Sequence, residues 1–414
     1  MKPILTLLML GAALSANAQT TLSVEVKNPL NQPRTEFVVI PLAGYGDVRS
    51  ADVLLPQTVD GNFAGNVEVA CQLDDLDQDE RFDELCFEVH LDEKETKRYT
   101  VKLFDKGTPR QFEPKVYTEM LMRNDKVKEK NRHNNYVSSL TVRGDCANSY
   151  NLLHHHGVAF ESELNGIRIY FDKRQTLDLY GKYQPRLELQ QTQFYTSDQQ
   201  KQEGYGDDVL WVGNTFGLGA FRGWDGEAPT MVEPVKNRTQ RVIAYGPLRT
   251  IVEVVDQGWQ ADAKLPPVNM TLRYTQYAYH RDTDVEVFFN RNVSDYRFST
   301  GIINVKGSSE FSDHRGLRAC WGTDYPSTDT VKWKPETVGL AILLEKDNIV
   351  SEEPANKDNY AFVVKAKGDR MKYKVTYCSD NESFGYHSAN EWFNYLKAWR
   401  REVESPIRVT VKRL

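Results

Sequence analysis

"TLRYTQYAYHRDTDVEVFFNRN", Thr271 to Asn292, holds two runs of alternating side chains separated by the short polar link Arg281-Asp282-Thr283-Asp284. Alternation carried by aromatic and β-branched residues marks strands with one face turned to a core. The aspartate-containing link reads as a hairpin connection, with His280 closing the incoming strand. The same texture recurs in "TLSVEVKN", "RTEFVVIPL", "LCFEVHL", "GIRIYFD", "RTIVEVVD", "YAFVVKAK", "MKYKVTY" and "IRVTVKRL". A mostly β chain follows. One helix is predicted near the C-terminus, where Trp392, Tyr395, Leu396 and Trp399 recur at helical spacing behind Ser388-Ala-Asn-Glu391, which has the form of a capping box. Its aromatic stripe is read as core packing. No repeat of fixed period is visible, which disfavours a propeller or solenoid.

A chain of 414 residues allows two or three domains. Met1 to Ala18 pairs Lys2 with an apolar run and ends in Ala16-Asn17-Ala18, the pattern of a secretory signal, so an exported protein, periplasmic or extracellular, is expected to begin at Gln19. Residues 19–110 read as a small β domain with acidic loops. Residues 111–135, including the charged "RNDKVKEKNRHNN", read as a boundary segment. Residues 136–414 read as one large β domain closed by the terminal helix and strand. The net charge of -6 and the lack of a basic tract argue against nucleic acid. No run beyond the signal is long and apolar enough for membrane insertion. Cys71, Cys86, Cys146, Cys320 and Cys378 show no CxxC spacing; Cys71 and Cys86 flank one acidic loop and read either as a hairpin disulfide or as two buried thiols.

That loop, "DDLDQDERFDELC", places Asp75, Asp77, Asp79 and Asp83 at the spacing of oxygen ligands in a calcium loop. Two parts are missing, because Glu80 stands where the turn glycine belongs and Cys86 where a bidentate glutamate belongs. The loop is read either as a structural calcium site or as a solvated hairpin loop. No cofactor is required by the chemistry considered below.

"HHHGVAFESELNGIRIYFDKRQTLDLYGK", His154 to Lys182, is the richest polar stretch. On a strand, Arg168, Tyr170 and Asp172 share one face while Ile167, Ile169 and Phe171 take the other; Asp178 and Tyr180 align likewise, with Lys182 next along. Such a face is costly to bury unless its groups pair or meet a polar ligand. Of three adjacent histidines, at most two point into one pocket. Downstream, "GYGDDVLWVGNTFGLGAFRGWDG" carries Trp211 and Trp224, candidates to stack on a sugar ring, among glycines that fit neither a phosphate loop nor a dinucleotide motif. No G-x-S-x-G elbow or H-E-x-x-H helix is present.

These stretches, with "YGPLRTIVEVV" and "QLDDLDQDERFDELCFEV", resemble the domain-of-unknown-function family 4861, exported bacterial proteins of carbohydrate-utilisation systems. The resemblance covers nearly the whole mature chain. It implies a β-supersandwich of the galactose-mutarotase-like kind, and chemistry on oligosaccharides containing uronic acid. Within it, the residue types present suit β-elimination at a uronyl residue, by a lyase or a dehydratase, leaving a 4,5-unsaturated end. Arg168, Arg174 or Lys182 would neutralise the carboxylate, His155 or His156 would take the C5 proton, and Tyr180 or Tyr170 would protonate the leaving oxygen. His280 is the distant candidate to join them. Substrate contacts are expected from Tyr170, Asp172, Asp178, Glu161, Trp211 and Trp224. Two alternatives stay open: an aldose epimerase or glycoside hydrolase using Glu161 with Asp172 or Asp178, and a glycan-binding protein without catalysis.

Overall fold

The computed structural model describes residues 20–59, 62–124, 126, 135–144 and 149–414. The signal segment, most of the charged boundary stretch and Cys146 lie outside these residues. The hairpin that opened the sequence argument forms from the strands Val268–Tyr277 and Asp282–Phe289, antiparallel with Gln276 opposite Thr283 and Met270 opposite Phe289. Its connection is Ala278–Arg281, three residues earlier than the sequence suggested, and Tyr279 takes the left-handed turn with φ 61°. Asp282 and Thr283 join the strand because the neighbouring strand Arg370–Ser379 pairs with them, Asp282 opposite Thr376.

This hairpin lies inside a nine-stranded antiparallel sheet running from Ser309–Ser312 at one edge to Ser139–Arg143 at the other. Leu272, Tyr274, Val285 and Val287 face inward and are fully buried, the alternation the sequence displays. Opposite them stand two five-stranded sheets. One holds Val116–Glu119, Gly157–Ser162, Gly166–Tyr170, Leu177–Gly181 and Asp207–Asp208; the other holds Phe298–Ile303 and Asn359–Val364 at its centre. Phe160, Ile167, Ile169, Leu179, Phe298 and Phe362 close one continuous core with the large sheet. Gln240 stitches the layers: its side chain accepts from the Val158 N–H at 2.9 Å and donates to the Ile169 carbonyl at 3.0 Å. Gly157 permits that approach, since a Cβ there would lie 1.6 Å from the Ile169 oxygen. The architecture is a layered, mostly β sandwich with a C-terminal helix.

A second sandwich of five and three strands forms around Val24, Val53, Phe87, Val101 and Leu103. Its edge is the C-terminal strand Arg408–Arg413, paired with Thr20–Lys27. Sequence reasoning placed that last strand with the larger domain; the pairing puts it on the N-terminal sheet, so the two ends of the described chain lie side by side. The strand Val116–Glu119 likewise falls within the supposed boundary segment yet pairs with Gly157–Ser162. The helix spans Ala389–Glu404 and buries Trp392, Leu396 and Trp399 on strands that hold Ala319 and Ala341. Ser388 caps it by accepting from the Glu391 N–H, while the Glu391 carboxylate accepts from the His387 N–H, one residue before the cap. Cys71 and Cys86 are free, buried thiols. Cys71 stands opposite Phe87 and Cys86 opposite Gln72, which turns the two side chains to opposite faces.

Candidate functional site

Arg168 stands opposite Asp178, and Gly166 opposite Tyr180, so Arg168, Tyr170, Asp178 and Tyr180 share one face as the alternation requires. Ala159 and Glu161 of the adjoining strand extend it. This face does not meet solvent directly. The segment 188–206 roofs it, with Leu189 and Phe194 packed on Ala159 and Tyr180. Small residues on the floor leave room for the roof.

Beneath the roof the charges form two groups. In one, Lys182 donates to the Glu161 carboxylate at 2.6 Å and to the carbonyls of Ser162 and Arg186 at 2.7 and 2.6 Å. Glu161 also accepts from the N–H groups of Glu188 and Leu189. Both side chains are fully enclosed, and Tyr180 donates to the Gly206 carbonyl at 2.7 Å. Lys182, Glu161 and Tyr180 therefore hold the roof on, and the expected roles in substrate chemistry do not fall to them.

In the other group, Arg168 donates to Asp178 at 2.6 and 2.9 Å and to Asp208 at 2.8 Å, over the Phe194 ring 4.2 Å away. Tyr170 donates to Asp178 at 2.6 Å. Burial opposes the Arg168 charge, but Tyr170, Asp178 and Asp208 outweigh it and hold the guanidinium protonated. Burial, reinforced by the Asp178 charge, raises the Asp208 carboxyl well above the usual carboxylate range. Asp208 stands two strands away from Arg168.

The three histidines lie in the turn that precedes the strand Gly157–Ser162. His155 is fully buried with Nε2 3.1 Å from Glu119, whose carboxyl burial pushes up to about 8. His154 and His156 are each edge-on to Tyr195 at 5.4 and 6.5 Å. His156 has φ 70° and stacks on Tyr150, ring centres 3.8 Å apart and nearly parallel at 5°. Its Nδ1 lies 3.0 Å from the Tyr150 carbonyl. A carbonyl only accepts, so the proton sits on Nδ1 and Nε2 carries the lone pair. Burial lowers this imidazole to about 4. Arg174, half-buried and paired with Asp172, lies 4.9 Å from the Tyr150 ring centre and 4.8 Å from that of Tyr170. His156, Tyr150, Tyr170, Arg174, Tyr195 and Arg168 thus form one aromatic and cationic cluster.

Other expected residues lie apart from it. His280 is held between Asp282 at 3.3 Å and the Thr35 carbonyl at 3.1 Å, tying the large sheet to the N-terminal sandwich. Trp224 belongs to the strand Arg222–Trp224 of the second five-stranded sheet. Trp211 stands on a chain segment that touches Arg174, whose Nη1 donates to the Gly213 carbonyl at 3.4 Å. In the acidic loop, carboxylate oxygens of Asp75, Asp77 and Asp83 lie within 4.8 Å of one another, whereas Asp79 turns to the Arg81 N–H. Glu80 takes the left-handed turn at φ 72° despite its side chain. Asp75 accepts from the N–H groups of Gln78 and Glu80 at 2.7 and 2.8 Å.

A concave space of about 810 Å³ lies elsewhere, between the large sheet, the N-terminal sandwich and the helix end. Several of its cations are paired: Arg249 with Asp74 and Glu84, Arg273 with Glu253, Lys372 with Glu345. The histidine cluster is the stronger chemical candidate because Tyr150 links a lone-pair imidazole to a partly open guanidinium.

No helix among the described residues is long and apolar enough to cross a membrane. Among curated proteins none matches the chain. Among solved structures it is similar to a protein in glycosyl hydrolase family 38 from Enterococcus faecalis, with 11% identity, a TM-score of 0.47, and 95% of this chain and 47% of that one covered. It is also similar to an alpha-mannosidase from Enterococcus faecalis V583, with 11% identity, a TM-score of 0.48, and 96% and 47% covered. The chain thus spans about half the length of these structures. The model of the family described as a domain of unknown function, DUF4861, matches residues 26–409, and the chain belongs to that family.

Proposed function

We propose that this protein acts on acidic oligosaccharides, eliminating the C4 substituent of a uronyl residue to leave a 4,5-unsaturated end. The observation that supports this most is the His156 tautomer: Nδ1–H held by the Tyr150 carbonyl and Nε2 left as a base, stacked on a tyrosine whose ring centre lies 4.9 Å from the Arg174 guanidinium. Arg174 would bind the uronate carboxylate and stabilise the charge that develops at C5. Nε2 of His156 takes the C5 proton, the C5–H electrons form the C4=C5 double bond, and the C4–O bond breaks. The leaving oxygen takes a proton from Tyr150, whose phenol burial keeps protonated although both Arg168 and Arg174 pull the other way. His156 then returns its proton to solvent and Tyr150 regains one, so protons balance. With base and acid stacked on one wall, the elimination is syn. Of the two histidines expected as base this reading takes His156, and the acid role expected of Tyr180 or Tyr170 passes to Tyr150.

A second reading has its own support. Asp178 and Asp208 share one guanidinium, and burial together with the Asp178 charge raises the Asp208 carboxyl, an asymmetry of the kind a hydrolase uses between base and acid. Incubating residues 19–414 with a panel of uronate-containing oligosaccharides separates the two. Ultraviolet absorbance from a conjugated product supports elimination, with product mass distinguishing loss of a sugar from loss of water. New reducing ends without that absorbance would sink it in favour of hydrolysis.

A further inference from the structure

Beside the histidine cluster lies a shallow cleft of about 560 Å³ around Trp211, rimmed by Asn304, Lys306, Asp324, Lys357 and Asp358. Trp211 is 52% exposed, whereas Trp259, Trp392 and Trp399 are buried in cores. A bare indole in a concavity is costly in water unless something flat and partly apolar covers it. The cleft floor is fixed by bonds that do not involve the rim charges: Phe216 N–H donates to the buried Asn359 side chain at 2.9 Å, and Arg222 donates to the Asn214 carbonyl at 2.7 Å. Neither Lys306 nor Lys357 makes an ion pair among the described residues. Two ammonium groups and two carboxylates cancel in net charge. The rim therefore offers separate donors and acceptors, suited to hydroxyl groups rather than to a phosphate or sulfate.

We infer that this cleft is a subsite for an uncharged pyranose ring, stacked on Trp211 and hydrogen-bonded through its hydroxyls to the Asp, Asn and Lys rim. The Gly213 carbonyl that receives Arg174 belongs to a residue of the cleft wall, so the two sites meet at Gly213. An acidic oligosaccharide would place its uronate at Arg174 and the neighbouring neutral sugar on Trp211. The assignment of the uronate end rests on the function proposed above; the pyranose subsite stands on its own geometry.

The test is calorimetric binding to full-length His156→Ala protein, using tetrasaccharides that carry one terminal glucuronate on xylose, rhamnose or glucose units, with free glucuronate as the short control. Trp211→Ala is expected to weaken the best tetrasaccharide by roughly tenfold or more and to leave glucuronate unchanged. Lys357→Met should weaken it by a smaller factor, with both variants keeping the parent's circular dichroism and melting midpoint. Equal affinity with and without Trp211, or no binding of any tetrasaccharide to the parent, would overturn the inference. Trp211-dependent binding without turnover by the unaltered protein would keep the subsite and remove the elimination reading; turnover independent of Trp211 would do the reverse.

Discussion

The rings of Tyr150 and His156 lie 3.8 Å apart and nearly parallel, while the Tyr150 carbonyl holds Nδ1 of the same histidine at 3.0 Å. One residue therefore sets the tautomer, the orientation and the dry environment of its neighbour. The backbone at His156 is left-handed where its ring meets Tyr150.

Because burial lowers His156 to about 4, the base is already neutral across ordinary pH. The acid limb of kcat/KM should fall near pH 4 rather than near the ordinary histidine value of about 6.5. His156→Ala should lower kcat by about 10²–10⁴-fold while leaving the melting midpoint nearly unchanged. A limb near pH 6.5 that persists in the variant would assign the titration to another group. The same shift costs stability as pH falls from about 6.5 towards 4, since protonation favours the unfolded chain.

Lys182 and Glu161 form a fully enclosed pair whose remaining hydrogen bonds anchor segment 188–206. Lys182→Met leaves the Glu161 charge buried without its partner and should cost about 3–5 kcal/mol of stability in urea titration. Any protein that remains folded should keep its KM within about twofold, an expectation that separates anchoring from substrate contact.

His280 carries the opposite pH signature to His156. Burial works against its charge, but the hydrogen bond and charge of Asp282 prevail and push it up to about 9. The stabilisation is fully present below the unfolded value near 6.5 and fades as pH rises through about 9. With the ring 21% exposed, its worth is on the order of 2 kcal/mol. His280→Ala should lower the melting midpoint clearly at pH 6 and hardly at all at pH 10; equal losses at both would remove the protonated bridge to Asp282.

Deleting residues 406–414 removes the edge strand Arg408–Arg413 and bares the strand Thr20–Lys27. The N-terminal sandwich should then unfold first, at a lower denaturant concentration than the rest, and the exposed edge should promote association. A single unchanged transition by circular dichroism, with monomeric elution, would show that the terminal pairing contributes little.

Much of the sandwich was legible because strand periodicity is local: Ile167, Ile169, Leu272 and Val285 point inward just where alternation put them. The helix was legible for the same reason, through its aromatic spacing and Ser388. The Arg168, Tyr170 and Asp178 face could likewise be read from alternation and hairpin spacing. Tyr150 and Tyr195 gave no such signal, since each sits in a turn region outside any regular strand.

Alternation along the chain determined which side chains share a face, and composition determined that the protein is mostly β. It did not determine what covers that face. The segment 188–206 closes over it and commits Lys182, Glu161 and Tyr180 to structure, while Tyr150 and Asp208 arrive from elsewhere to complete the cluster. A strand's own periodicity carries no information about strands that pair beyond its neighbour or about loops that fold across it, because those contacts join residues distant in sequence. For the same reason the last strand's partner, Thr20–Lys27 at the other end of the described chain, was decided only by the tertiary structure.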